Sequence, residues 1–473
     1  MVGETQHSRR RPLPGGTPWP LLPPWPYSFP VLSSPATSAA PTDRPGPLGR
    51  AVDWFLPPRM GSSFRWLMGS AYSSNLADGV VLAAGPLLVA SQTSSALLIS
   101  AAPMLNRLPW LVLGLGAGAI ADRVDRRRMA MLANLLRAAV LMVLVAILVT
   151  GQVSIAAVLV VMLLLGTAEV LCDSATNTLL PSVMARKDLV TGNARLMSAF
   201  LVANQLVGPA FGAFLFALGS AWPFGVSALA IVLAAVLVSR MVVPPVAGAD
   251  GETATRTASG VRGLHADVVS GLRWLRDAPA VRTLVLTILT FNITWAMGWG
   301  ILVLWAQERV GLGPVGFGLL TSATAVGGVI SVLAYDRIAA RWSLAGIMKV
   351  CLTLEVLMHL VLATTTAAWV AYATMFGFGL YAFVWSATSS AVRQRATPQH
   401  MMGRISSINM VGLTGGMVIG MPIGGAVADA FGVTAPFWVA FVGSGLTLLV
   451  IWRSLGHIAH VAEVGPEAAA AAH

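Results

Sequence analysis

Carboxylates and guanidinium groups stand inside stretches of this sequence that are otherwise apolar, and these side chains have chemistry available to them. Asp78 lies in the middle of the first apolar run, within Asn75-Leu-Ala-Asp78-Gly79, and Arg107 lies about as deep in the second. Matching depth makes Asp78 and Arg107 expected partners, either as a structural pair or as a site that handles a proton or a ligand. Glu169 and Asp173 are four residues apart, which places both on one helical face, with Asn177 extending it. Two negative charges side by side are costly in a low dielectric, so this pair is suited to taking up and releasing one proton. Glu169 is the deeper of the two; Asp173 is expected near the water. Glu355 and His359 repeat the four-residue spacing, which suits a mutually satisfied buried pair or a proton relay. Arg137 is expected to snorkel from the third run to the aqueous interface.

The elements that must position these groups are membrane-spanning helices. Of 473 residues, 56% are hydrophobic and only 10% are charged, whereas a soluble domain carries roughly 25% charged residues. A span needs about 20 mostly apolar residues. Twelve such runs are expected near residues 64–90, 97–121, 128–150, 154–178, 195–219, 222–244, 283–306, 315–336, 343–364, 367–391, 405–430 and 433–454. The class is therefore an all-α membrane protein. Residues 1–60 hold half of the 28 prolines and read as a disordered, Pro-rich tail without the apolar core of a signal peptide. A translation start at Met60 is one reading of that tail, and a docking arm is another. Residues 245–282 form the longest internal loop, in which Val268 to Leu275 looks amphipathic and suited to the membrane surface. A second tail follows, residues 455–473.

The formal net charge of +11 could suggest a nucleic-acid partner, but the distribution of the basic residues argues otherwise. Arginine and lysine fall in alternate loops, as at Arg126 to Arg128, Arg186-Lys187, Arg273 to Arg282, Arg337 to Arg341 and Arg393 to Arg404, and Arg309 is the exception. This bias expects both termini in the cytoplasm. Cys172 and Cys351 both lie inside spans, with no Cys/His metal-binding spacing. Gly311-x-Gly313-x-x-Gly316 matches a dinucleotide fingerprint in letters only, since no strand precedes it. No P-loop, H-E-x-x-H or G-x-S-x-G occurs, so the expectation is no enzyme, no cofactor and no metal.

Two further patterns carry a resemblance. The loop after the second run reads Gly118-Ala-Ile-Ala-Asp122-Arg123-Val-Asp125-Arg126-Arg127, and Asp122-Arg123 is echoed by Asp336-Arg337. Pro209-x-x-Gly212-Ala213, ending at Gly219, recurs as Pro422-x-x-Gly425-Ala426, ending at Gly432. These residues resemble the major facilitator superfamily over residues 64–454, with Asp125 where that family usually has glycine. With Leu108-Pro109-Trp110, Leu180-Pro181 and Gly208-Pro209-x-x-Gly212, the chain is similar to the siderophore and macrolide exporters of that superfamily.

The resemblance implies twelve transmembrane helices in two pseudo-symmetric six-helix halves, residues 61–244 and 283–454. It implies a secondary transporter that works by alternating access, as a monomer, in the bacterial cytoplasmic membrane, with a small molecule, protons and lipid as partners. The direction expected is proton-coupled export of a small amphipathic compound. An importer of the same fold and a non-transporting sensor or scaffold are the alternatives. The resemblance also implies that spans three, six, nine and twelve support the bundle from outside the cavity. Gly118, Asp122, Arg123, Asp125, Arg126 and Arg127 are then a cytoplasmic gate. Asp78, Arg107, Glu169 and Asp173 are candidates for proton coupling, and Asn292, Trp295, Tyr381 and Trp385 for the cavity wall. Gly208, Pro209, Gly212 and Pro422 mark helices expected to bend, and Gly416, Gly420 and Gly424 allow close backbone approach.

Overall fold

The structure is a computed structural model that describes residues 55–121, 124–242, 270–271 and 273–458. It is helical, with no strand among the described residues. The spans are α1 Gly61–Ala90, α2 Ala96–Ala121, α3 Arg126–Val149, α4 Ile155–Val183, α5 Arg186–Leu218 and α6 Trp222–Ser239. There follow α7 Pro279–Gly300, α8 Pro314–Arg341, α9 Leu344–Thr364, α10 Ala368–Ala396, α11 Met402–Phe431 and α12 Ala435–Ile451. Eleven of these are long and apolar enough to cross a membrane, and α12 is shorter. The helices extend along all twelve of the apolar runs in the sequence. The Pro-rich tail, most of the central loop, Asp122 and Arg123 lie outside the described residues. So do Val268, Val269 and Leu272 of the expected surface segment, whose described end, Trp274 and Leu275, packs with Val281, Val285 and Ile405.

Hydrocarbon gives helices no hydrophobic reason to associate, so close packing must come from small side chains. Along α11, a Cβ added at Gly420 would collide with the Ile293 carbonyl, and one at Gly424 with the Met297 carbonyl of α7. Gly416 lies as close to Asn292 and Leu289, so α7 and α11 are in backbone contact over three turns. In the first half α1 crosses α5 in the same way, with Gly79 against the Asn204 backbone and Gly212 against Val80.

At this crossing α5 is not a regular helix. Phe200–Val207 is wound as a π-helix that leads directly into Gly208-Pro209. Proline has no N–H and its ring displaces the carbonyl one turn back, and a π-turn accommodates both defects without breaking the helix. The expected bend at Gly208 and Pro209 therefore takes the form of a local widening of the helix.

The halves meet through α2 with α11 and through α5 with α8. Contacts cluster at the end where α2 and α8 begin. Ser322 donates to the Leu206 carbonyl at 2.7 Å, and Gly318 packs on Pro209 and Ala213. Between α1, α2, α7 and α8 only a gap of about 20 Å³ is left, lined by Pro86, Pro103, Gly300 and Phe317.

The end itself is fastened by Asp429, near the C-terminus of α11. Its carboxylate accepts from the backbone N–H of Ala96 at 2.6 Å and of Leu97 at 3.1 Å, and from the Ser95 hydroxyl at 2.9 Å. The first N–H groups of a helix lack internal partners and carry a partial positive charge, so a carboxylate from the opposite half caps α2 favourably. Arg309, the exception in the charge pattern, serves the same end of the bundle. It donates to the Thr364 and Thr365 carbonyls at 3.1 and 3.2 Å, at the C-terminus of α9 where a cation is favoured.

Removing the Asp429 clasp should loosen this end. A charge-assisted cap contributes about 1.5 kcal/mol. In an Ala96→Cys background, Asp429→Ala is expected to raise labelling by a membrane-impermeant thiol reagent about tenfold. Equal labelling with and without Asp429 would show that the carboxylate does not hold the ends together.

Candidate functional site

The charges inside the first half sort into a paired set and an unpaired set. Arg137 on α3 forms an ion pair with Asp78 on α1, and it also donates to Ser74 at 2.9 Å and to Asn134 at 3.2 Å. Cys172 on α4 donates to the same Asn134 oxygen at 3.4 Å, so the network ties α1, α3 and α4. Arg137 is only 2% exposed. Two expectations are corrected here: Asp78 pairs with Arg137 and not with Arg107, and Arg137 turns inward and does not snorkel. The physical reason is azimuth. Asp78 shares its face of α1 with Ser74, and both meet Arg137 of α3.

Arg107 is thus without the expected partner. Arg107, Glu169 and Asp173 make no hydrogen bond or ion pair among the described residues, and all three are partly exposed. They nevertheless lie together. Asp173 is within electrostatic reach of Glu169, of Arg137 and of Arg107. Helices α2 and α4 approach closely here, with Gly166 against the Asn106 backbone, which brings Arg107 beside the acidic face of α4. Two carboxylates and one guanidinium that are half-buried and not locked by hydrogen bonds can change partners when a proton or a ligand arrives.

In the second half the four wall candidates come together. Asn292 and Trp295 of α7 and Tyr381 and Trp385 of α10 line one cavity of about 180 Å³, with Phe378, Met417 and others. Trp295 stacks on Trp299 at 5.0 Å and on Phe378 at 5.9 Å, and Phe378 meets Tyr381 edge-on at 5.6 Å. Helix α9 also reaches this cavity, through Cys351, Leu352 and Glu355. The expectation that α9 stays outside it is corrected at this point.

Glu355 was not foreseen as a wall residue. Its Oε2 accepts from the Tyr381 hydroxyl at 2.8 Å, while Oε1 lies 3.5 Å from His359 Nε2 without hydrogen-bond geometry. Both His359 ring nitrogens and Glu355 Oε1 are buried without a partner, so the pair is close but not satisfied. The tyrosine of α10 takes one carboxylate oxygen, and the other stays beside His359 on its own helix. A buried acid one turn from a histidine was the available sequence signal; its direction was not.

The loop after α2 has a local explanation in the residues described. Asp125 caps α3 by accepting from the Arg127 and Arg128 backbone N–H groups at 3.0 and 3.1 Å. Its φ is −57°, so the position does not require glycine. Arg126 donates to the Thr178 carbonyl of α4 at 3.3 Å, and Arg127 to the Ser239 carbonyl of α6. These arginines bind helix ends within their own half.

Losing one partner of a buried ion pair costs about 3–5 kcal/mol, because the other charge is stranded. Arg137→Met and Asp78→Leu should each lower the thermal stability of the detergent-solubilised protein sharply. The double variant should recover much of that loss. Additive losses in the double variant would contradict the pairing.

Comparison with known proteins places this geometry. A family described as transmembrane secretion effector matches residues 55–471. The "Multidrug efflux pump Tap" of Mycolicibacterium fortuitum is 27% identical over 386 residues, covering 78% of this chain and 90% of the pump. Among solved structures, the D323A mutant of the nucleoside transporter NupG superposes with a TM-score of 0.67 at 12% identity, covering 84% of this chain and 99% of that one. A bacterial homologue of the iron transporter ferroportin, in an inward-facing state, superposes with a TM-score of 0.64 at 16% identity, covering 84% of this chain and 99% of that one. At such identities these structures speak to the fold alone. The chain belongs to the transmembrane secretion effector family and is a multi-pass membrane transporter of the major facilitator type.

Proposed function

We propose that the protein exports a small amphipathic compound in exchange for protons, by alternating access between its two six-helix halves. The observation that carries the coupling is the unlocked cluster of Arg107, Glu169 and Asp173 beside the locked Asp78–Arg137 pair. An intramembrane acid without a fixed partner is costly unless it serves a purpose. Glu169 and Asp173 take the proton in this reading, Arg107 supplies the charge they turn to when it leaves, and Asp78 holds Arg137 in place. The 27% identity to a multidrug efflux pump supports the outward direction.

The alternating basic loops support a bacterial cytoplasmic membrane with both termini inside. In that orientation the end fastened by Asp429 faces outward, and the state is one open to the cytoplasm. An exporter loads its cargo in this state. It acts as a monomer, with lipid around it. Asp122 and Arg123, which lie outside the described residues, belong to the cytoplasmic gate that closes when the outer clasp opens, and Gly118 leads into it. The π-turn at Gly208 and Pro209 with Gly212, together with Pro422, gives the helices that slide between the two states.

The test is proton flux in inside-out vesicles acidified inside, read with a pH-sensitive dye while amphipathic compounds are added singly. Proton release on addition of a compound is expected from the unaltered protein. It should fall about tenfold or more in Glu169→Gln and less in Asp173→Asn. Undiminished coupled flux in the Glu169→Gln, Asp173→Asn double variant would remove these carboxylates from the mechanism.

A further inference from the structure

We infer that Glu355 and His359 of α9 form a second proton-binding site, in the half of the bundle opposite Glu169 and Asp173, loaded from the cavity through the Glu355 carboxylate. The inference deepens the proposed export by adding a proton site to it, and it rests on that reading only for what the proton is used for.

The pair lies in the middle of α9 with polar atoms that nothing else occupies. His359 is fully buried and Glu355 is 8% exposed. Oε1 of Glu355 and both ring nitrogens of His359 have no hydrogen-bond partner, and Nε2 lies 3.5 Å from Oε1. A carboxylate beside a neutral imidazole carries one negative charge, which is costly within a membrane. One added proton turns the pair into a carboxylate and an imidazolium with no net charge. Their contact then becomes a charge-assisted hydrogen bond, once the gap closes to about 2.8 Å.

The surroundings leave that proton to the pair. His359 is the one ion-pair partner of Glu355 among the described residues. From α10 the Tyr381 hydroxyl donates to Oε2 at 2.8 Å, which occupies that oxygen and leaves Oε1 beside the histidine. Cys351, one turn earlier on α9, is the other titratable group within electrostatic reach of Glu355. Helices α7 and α11 bring Asn292 and Met417 to the same wall, and neither titrates. Helix α12 packs on α9 through Phe441, Gly445 and Leu448.

Access is from one side. Glu355 is among the residues lining the cavity and His359 is not. The cavity, about 180 Å³, has room for several waters. A proton therefore passes from a hydronium ion in the cavity to Oε1 of Glu355. The O–H bond then breaks as an N–H bond forms at Nε2, which returns Glu355 to a carboxylate and leaves His359 as the imidazolium. Release runs through the same atoms in reverse.

Protonation is read on the full chain in proteoliposomes by solid-state NMR of labelled histidine nitrogens, over about pH 4 to 9. The chain has seven histidines, and His359 is the buried one among the described residues. Its signal is assigned by its loss in His359→Gln or, if that variant folds poorly, in His359→Asn. The signal should pass from the neutral to the imidazolium form as the pH falls. In Glu355→Gln, which thermal melting must show to be folded, the same change should need a proton concentration at least about tenfold higher, because the counter-charge is gone. A His359 that keeps one form across the series in the unaltered protein overturns the inference without any Glu355 variant. So does a change that is unmoved in folded Glu355→Gln. The two readings separate cleanly. A titrating, Glu355-dependent His359 without coupled flux in vesicles defeats the export proposal and leaves this site standing, whereas coupled flux with a His359 that keeps one form does the reverse.

Discussion

An ionised arginine in hydrocarbon must find a counter-charge, and in this protein Arg137 finds Asp78. The rest of the first half is arranged around that pair. Ser74 and Asn134 both accept from Nη1 of Arg137, and Cys172 joins α4 to the same network. With Asp78 occupied, Arg107 is left near Glu169 and Asp173, and none of the three makes a hydrogen bond or ion pair among the described residues. One strong interaction inside the wall thus leaves three weakly held charges at its surface. Next to the pair, Gly79 brings α1 into backbone contact with the π-turn of α5. The stiffest electrostatic link and the most irregular helix are therefore neighbours.

The two halves solve different problems with the same fold. The first concentrates charge; the second concentrates aromatic surface, with Glu355 as its single cavity-lining acid among the described residues. Helices α7 and α11 are in contact from Gly416 to Gly424, so α11 transmits movement to the aromatic wall. Its far end carries Asp429, which caps α2 in the charged half. One helix then touches the cavity, the inter-half seal and the partner half, and a change at any of these bears on the others.

Much of this was legible in the amino-acid sequence, and what was not has a physical explanation. Spans follow from runs of apolar residues because solvation decides them one helix at a time. Asn292, Trp295, Tyr381 and Trp385 stood out as polar or aromatic side chains on such helices, and they do share a cavity. Pairing is a different matter. Asp78 and Arg107 match in depth, but depth is set by position along a helix and partnership by rotation about it, which depends on neighbours. Glu355 stood out only beside His359 for the same reason: its hydrogen bond from Tyr381 comes from another helix. Asp429 was not singled out, because the helix start it caps belongs to another part of the chain.

The central claim is that the fastened end of the bundle opens when the opposite end closes. The most direct measurement is a pair of spin-label distances in nanodiscs. One pair, Gln92→Cys with Phe431→Cys, spans the halves at the fastened end; the other, Lys187→Cys with Arg341→Cys, spans them at the opposite end. All four positions are exposed. Across a series of pH values and added amphipathic compounds, the two distances should move in opposite directions, the first lengthening as the second shortens. Distances that stay fixed, or that lengthen together, would contradict alternating access as described here.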